Sequence, residues 1–424
     1  MNEQQQISRY VSYMYSYPHK TAYRTLTPPV SLSPYLERLE GREASLYFHI
    51  PFCAHKCGYC NLFSQQCCDA ERISLYLHTM RRQAEQLSVA AQGLKFTSFA
   101  VGGGTPLILD EGQLEELFCL AELFGVHPSR VFTSVETSPE YTQKSVLRQL
   151  RARGVERLSM GVQSFNETEL KKLKRRPGLG TVVGALENIV EAGFPQFNLD
   201  LIYGIEGQTV ESFMRSLNTA LTYRPNELFI YPLYVRPGTR VRSTDDIGYA
   251  IYKSARELLV GQGFVQTSMR RFVRRETTET EFSCGDEVML SCGAGGRSYL
   301  GNLHYATPYA VRQQAIADEI DHYIRTTDFM TAANGFLLST EEMQIRFIIK
   351  NLMYHRGVDL AEYEKRFGEK PDRNLFREFT DRGWIEETGR IVRLTEEGMA
   401  YSDYIGQAFI SPAVRKLMSE YVYP

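Results

Sequence analysis

From Leu46 onward, apolar residues alternate between short continuous runs and longer stretches with helical spacing. Leu46–Ile50, Thr97–Val101, Val131–Glu136, Arg157–Val162, Asn198–Tyr203 and Glu227–Leu233 read as buried strands. Between them Ala70–Val89, Gly112–Phe124, Tyr141–Arg153, Glu167–Lys174, Thr181–Ala192 and Val210–Tyr223 read as amphipathic helices. Strand-then-helix units in series predict a parallel sheet, because each parallel return needs a crossover and a helix supplies it. Six such units fall two short of a closed eightfold barrel. The expected fold class is α/β, a partial (β/α)6 barrel, with a doubly wound sheet as the alternative. Both folds collect their chemistry at the C-terminal ends of the strands.

The flanks read differently. Residues 1–45 are rich in Tyr, Pro and Ser, and Pro18, Pro28 and Pro29 discourage regular structure, so an extended arm is expected. The βα rhythm stops after Arg236-Pro237-Gly238, leaving residues 46–240 as the core. Residues 241–335 form an extension with a helix, a basic stretch and the loop Gly293-Ala294-Gly295-Gly296. Residues 336–424 open with helical segments at Glu341–Tyr354, Leu360–Phe367 and Asn374–Arg382. A hairpin turning at Thr388-Gly389 follows, which predicts a small winged-helix-like domain.

Composition narrows the function classes. The 424 residues suit two or three domains at about 150 residues each. A formal net charge of −2 gives no overall field toward nucleic acid or an acidic membrane. No run approaches the roughly 18 apolar residues of a membrane span, and the polar start Met1–Gln6 lacks the apolar stretch of a secretory signal. A cytoplasmic monomer with neither a nucleic-acid nor a membrane partner is expected.

Of the eight cysteines, Cys53, Cys57, Cys60, Cys67 and Cys68 cluster, while Cys119, Cys284 and Cys292 are scattered. A cluster of this kind in a reducing compartment points to metal or redox chemistry. Cys53-Ala54-His55-Lys56-Cys57-Gly58-Tyr59-Cys60 follows directly on a strand. Three thiolates on one loop can hold three corners of an iron–sulfur cube and leave the fourth iron for a non-protein ligand. A zinc site would need a fourth ligand, nominally available from Cys67, Cys68 or His55, so spacing alone leaves both metals open. Cys67, Cys68, Cys284 and Cys292 themselves read as small semi-buried residues.

The cysteine triad, with Tyr47-Phe48-His49-Ile50-Pro51-Phe52 before it, resembles the radical S-adenosylmethionine (SAM) superfamily, specifically the group around oxygen-independent coproporphyrinogen III oxidase and the related haem chaperones. Gly102-Gly103-Gly104-Thr105-Pro106, Ser159-Met160-Gly161-Val162-Gln163-Ser164-Phe165 and Asn198-Leu199-Asp200-Leu201-Ile202-Tyr203-Gly204 carry the resemblance further. It implies a [4Fe–4S] cluster on Cys53, Cys57 and Cys60, with SAM chelating the unique iron and yielding a 5′-deoxyadenosyl radical on one-electron reduction. It also implies an electron donor such as flavodoxin. Tyr47 would lie beside the sulfonium, and Gly103, Gly104 and Thr105 beside the methionyl amino group. Glu136 would accept from the SAM ammonium, and Arg175 would pair with its carboxylate. Gln163 would bind ribose or substrate, Asp200 would bind ribose hydroxyls, and Tyr231-Pro232-Leu233 would line the adenine pocket. Tyr47 and Gln163 are the catalytic candidates.

Two features set the chain apart. In its arm, Tyr15-Ser16-Tyr17-Pro18 resembles the oxidase, while Tyr17-Pro18-His19-Lys20-Thr21-Ala22-Tyr23-Arg24 resembles an outlying branch that includes anaerobic haem-degrading methyltransferases; such an arm would close over substrate. Thr267–Arg275 replaces the relatives' aromatic–acidic string, and the haem-chaperone string gives way to Glu281-Phe282-Ser283-Cys284-Gly285-Asp286. Arg270, Arg271 and Arg274 are the candidates for binding substrate carboxylates. Residues 241–335 would cover the active site, and a second SAM molecule or the substrate is the candidate ligand near Gly293–Gly296. The expected function is radical chemistry on a small, tetrapyrrole-like molecule, either side-chain oxidation or C-methylation, with a haem-binding chaperone as the alternative.

Overall fold

The computed structural model describes residues 9, 10, 14, 16–235, 245–275 and 288–424. Arg236-Pro237-Gly238 and the 281–286 string with Cys284 lie outside them. The core strands are β1 (Glu43–Ile50), β2 (Lys95–Gly103), β3 (Phe132–Thr137), β4 (Arg157–Gln163), β5 (Gln196–Tyr203) and β6 (Glu227–Pro232). The helices α1 (Ala70–Ala90), α2 (Glu111–Glu122), α3 (Lys144–Arg153), α4 (Glu167–Lys172), α5 (Leu179–Ala192) and α6 (Val210–Thr222) alternate with them. β1 to β6 lie side by side in sequence order, every neighbour parallel. A doubly wound sheet reverses its strand order at a switch point. This one does not, so the partial-barrel winding holds. The strands are buried on both faces, as a parallel sheet under helices requires. In β5 every residue is buried except Asp200, which marks that side chain as facing something other than core.

The sheet runs further than the periodicity predicts, to thirteen strands among the described residues. Val288–Cys292 pairs parallel with the free edge of β1, and Arg297–Leu300, Leu303–Ala306 and Thr331–Leu337 continue antiparallel. Beyond β6 lie Arg271–Arg274 and Phe264–Gln266. These strands are short, and several are buried on both faces, so they show no polar–apolar alternation.

The arm also differs from its expected irregularity, because Arg24–Ser31 is an edge strand paired with Thr331–Leu337. The register jumps from Thr25↔Asn334 to Val30↔Ala332, and Pro28 and Pro29 fall in that bulge. An edge strand with a bulge tolerates prolines, since no ladder hydrogen bond is lost there. Farther toward the N-terminus, Tyr17 is only 1% exposed. Its hydroxyl donates to Glu342, which also accepts from Ser411 Oγ at 2.7 Å, and Arg346 Nη1 donates to the Tyr17 carbonyl at 2.9 Å.

In the C-terminal part, Thr340–Leu352, Leu360–Phe367 and Asn374–Asp381 are helical, and Val358–Asp359, Ile391–Leu394 and Ile385–Thr388 form a small sheet. The hairpin turns at Gly389-Arg390, one residue later than expected, with Gly389 supplying a φ of +63°. Glu396–Ala400, Ser402–Ala408 and Pro412–Ser419 add helices that the periodicity did not reveal. No helix among the described residues is long and apolar enough to cross a membrane.

Tyr17→Phe removes a buried donor to a carboxylate, worth about 2 kcal/mol. Urea unfolding should show that loss, and limited proteolysis should cut faster ahead of residue 24. An unchanged midpoint would show that the arm is anchored by other contacts.

Candidate active site at the strand ends

The site begins where β1 runs out. Past Pro51, Phe52–Cys53 pairs with Gln65–Gln66 and closes the cysteine loop at its base. The chain leaving β2 is stitched onto the same place: Gly104 N–H donates to the Ile50 carbonyl and Thr105 N–H to the Phe52 carbonyl, both at 2.8 Å. Glycine is needed for this approach. A Cβ on Gly104 would sit 2.5 Å from the Phe52 oxygen and 2.8 Å from Cys53 Sγ. On Gly102 it would sit 2.8 Å from Glu136 Oε2 and 2.9 Å from the Tyr47 hydroxyl. Gly103 has a φ of +123°, a conformation that side chains resist. Thr105 Oγ1 faces Cys53 Sγ at 3.6 Å.

Burial pushes the Cys53 thiol up to about 11 and the Cys57 thiol upward as well, and the neighbouring cysteines add to both shifts. Metal binding at this loop would therefore release protons. Three thiolates on one zinc ion would lie about 4 Å apart, given a Zn–S bond of about 2.3 Å. Among the described residues no three His, Cys, Asp or Glu side chains converge on a single-ion site. A cube needs no such convergence on one ion, since each thiolate takes its own iron. Arg175 Nη1 donates to Cys57 Sγ at 3.3 Å while its Nη2 donates to the Gly161 carbonyl. The end of α4 aims it there: Lys174 is left-handed (φ +51°) and Arg175 N–H closes on the Leu170 carbonyl. Among the described residues the buried Arg175 Nε has no hydrogen-bond partner, which leaves a donor for a ligand.

Tyr47 and His49 share one face of β1, with the Tyr47 hydroxyl 3.1 Å from His49 Nδ1. Burial lowers His49 to about 4, so the ring is neutral. Its Nε2 lies 2.9 Å from the Phe63 carbonyl, which can only accept. The proton is therefore on Nε2, and Nδ1 accepts from the Tyr47 hydroxyl. His49 thus orients Tyr47, a role the strand pattern did not reveal.

Glu136, the next-to-last residue of β3, is solvent-exposed, yet its carboxyl is crowded by the Gly102–Gly103 backbone. Desolvation raises its pKa against a single N–H donated by Gly103 at 3.2 Å. Gln163 ends β4 beyond a bulge, buried and at a φ of +76°, strain of the kind that collects at functional sites. Its amide would strike any Cβ on Gly161, 2.5 Å away. Asp200 accepts from Asn198 Nδ2 at 2.8 Å, and desolvation raises it to about 7. Below these carboxylates, Arg157 at the start of β4 donates to Glu227 at 2.7 Å and to Ser134 Oγ at 3.0 Å. Arg157 and Glu227 were also missed, because a buried ion pair at strand starts carries no motif.

The substrate-arginine expectation is corrected. Arg271 is 2% exposed and donates to Glu227, making that glutamate the shared anion of two arginines. Arg270 is buried against Asp403 and the Tyr234 hydroxyl. Arg274 donates to the Pro225 carbonyl at 3.0 Å and covers the Phe264 ring. Arg270, Arg271 and Arg274 are thus committed to the protein, contrary to the expectation that these three bind substrate carboxylates. Tyr231 stacks on Phe229 with ring centroids 5.5 Å apart. The loop Gly293–Gly296 packs on His49, where a Cβ on Gly295 would lie 2.8 Å from Nε2. Cys67 is half-buried, Cys68 and Cys119 are exposed and Cys292 is buried.

The raised pKa of Asp200 has a definite sign. A carboxyl protonated more readily folded than unfolded favours folding below about pH 4, its unfolded range, and that contribution is lost as pH rises through about 7. Relative to Asp200→Asn, the ligand-free wild type should therefore lose stability across that window. Parallel stability–pH curves from chemical unfolding would refute the enclosure of Asp200.

Residues 47–220 match the radical SAM superfamily and residues 338–401 the HemN C-terminal domain. An oxygen-independent coproporphyrinogen III oxidase of Salmonella typhimurium is 30% identical over 403 residues, covering 87% of this chain and 86% of that protein. The heme chaperone HemW of Bacillus subtilis is 27% identical, covering 86% of this chain and 99% of its own length. The solved structure of coproporphyrinogen III oxidase (HemN) from Escherichia coli superposes with a TM-score of 0.76 at 22% identity, over 94% of this chain and 96% of that one, a likeness of fold. With its cysteine loop set against the glycine turn, the chain belongs to the radical SAM superfamily, in the family that holds the oxygen-independent coproporphyrinogen III oxidases and the HemW heme chaperones.

Proposed function

We propose that the chain is a radical SAM enzyme that oxidises a side chain of a tetrapyrrole-like substrate, as the oxidase relatives' name describes. The observation that carries this reading is the convergence, at the ends of β1 to β5, of three thiols, a glycine cradle, two carboxylates and an arginine turned inward. Bound there, a [4Fe–4S] cluster with SAM supplies an organic radical able to abstract hydrogen.

The residues present fit that pair. Cys53, Cys57 and Cys60 would hold the cluster. Arg175 offsets the negative charge of Cys57 and keeps Nε for the SAM carboxylate. Glu136 accepts from the SAM ammonium, and a cation there would draw its raised pKa back down. Gly103, Gly104 and Thr105 bring backbone close to the same group. Asp200 and Gln163 take ribose hydroxyls, and Tyr47, its hydroxyl held by His49, offers a phenol face to the sulfonium. The docked arm helps to exclude water from a reactive intermediate.

A haem-carrying chaperone is the second reading, favoured by the HemW relative that aligns over 99% of its own length. Anaerobically reconstituted protein with SAM, dithionite and coproporphyrinogen III, followed by mass spectrometry, separates the readings. 5′-Deoxyadenosine with an oxidised substrate and no S-adenosylhomocysteine is expected. S-Adenosylhomocysteine would replace oxidation with methyl transfer. Tight one-to-one haem binding without SAM cleavage would favour the chaperone. Cys57→Ala should abolish SAM cleavage. Gly104→Ala, which drives a Cβ into Cys53 Sγ, should lower iron content severalfold in a protein that still folds. Full cleavage by Cys57→Ala would overturn the site.

A further inference from the structure

Resting on the reading that Cys53, Cys57 and Cys60 hold a redox cluster, we propose that the basic segment after α4 is the docking surface for an acidic one-electron carrier protein. From Cys53 to Asn61 every residue of the loop is half-buried, so part of the loop reaches solvent while its thiols are desolvated beneath. The loop hangs on the end of α4: Gly58 N–H donates to the Leu173 carbonyl at 3.0 Å, and the Lys174 stem lies 3.2 Å from where a Gly58 Cβ would be. The turn that sends Arg175 inward to Cys57 leaves Lys174 and Arg176 exposed on either side of it. A single segment thus contacts a thiol with one cation and presents two more to solvent beside the loop.

The ordinary alternative is a solvated helix end. Cations in the last turn would serve the helix dipole, and Lys171 and Lys172 do so. Lys171 also faces Glu167 at 4.0 Å, and Lys172 Nζ donates to the Glu206 carbonyl at 2.5 Å. Lys174 and Arg176 lie beyond the helix and, among the described residues, make no ion pair. Neither dipole nor pairing accounts for them.

Carboxylates are present nearby, at Glu140, Glu167 and Glu206, but the four exposed cations of 171–176 outnumber them. The transfer itself moves one electron from carrier to cluster and forms no bond. Charge complementarity is then what sets the encounter rate.

The test follows bleaching of the anaerobically reconstituted protein by stopped flow, with dithionite and with a reduced acidic flavodoxin. For Lys174→Glu/Arg176→Glu the flavodoxin-driven rate should fall about tenfold at low salt, while the dithionite-driven rate stays near wild type. Lys174→Gln/Arg176→Gln should lose less, in the same direction, and added salt should slow the wild type toward the variants. Equal flavodoxin-driven rates in all three proteins would overturn the docking surface. A wild type that dithionite does not bleach would overturn the cluster reading and this surface with it, so the two failures are told apart.

Discussion

The close contact of the Gly102–Thr105 backbone with the end of β1 is the constraint on which the rest of the site depends. Two backbone hydrogen bonds, from Gly104 to Ile50 and from Thr105 to Phe52, bind the exit of β2 to the root of the cysteine loop. The price is that no side chain fits at these positions: a Cβ at Gly102, Gly103 or Gly104 would meet Glu136, Ile50 or Cys53 within 2.8 Å. Through this contact the sheet, the loop and the β3 carboxylate are fixed relative to one another. Backbone placed this way needs no side-chain ordering when a ligand arrives, which is the physical content of preorganisation.

Charge is arranged around that contact in two layers. At the strand starts Arg157, Arg271 and Glu227 form a buried group that leaves one positive charge in excess. Toward the strand ends lie Glu136 and Asp200, and desolvation raises both. Arg157 favours the ionised form of Asp200, yet burial is the larger effect. A cationic ligand would supply the missing charge. The site therefore holds carboxylates whose ionisation depends on what binds there, and His49, kept neutral by burial, fixes the Tyr47 hydroxyl without adding a charge.

Much of this was legible in order along the chain. The six strands and their helices stand within a few residues of where hydrophobic periodicity puts them, because parallel strands under helices read as continuous apolar runs. The loop Cys53–Cys60 was readable as a cysteine cluster behind a strand, whereas Tyr47, Glu136, Gln163, Arg175 and Asp200 were singled out through the family resemblance. What sequence did not reveal was pairing. Arg270, Arg271 and Arg274 look like an anion site in one dimension, and only the fold brings Asp403, Glu227 and the Pro225 carbonyl to them. The short strands between Phe264 and Ala306 escaped because three to five residues are too few to show a period. Arg24–Ser31 escaped because its prolines argue against a strand unless the strand is known to be an edge.

The central claim is that three thiols on one loop, Cys53, Cys57 and Cys60, hold an iron–sulfur cube against the glycine turn. Its most direct test is the metal and acid-labile sulfide content of the anaerobically purified chain. The account predicts about four irons and about four sulfides per chain. About one zinc per chain, with neither iron nor sulfide after reconstitution, would contradict it.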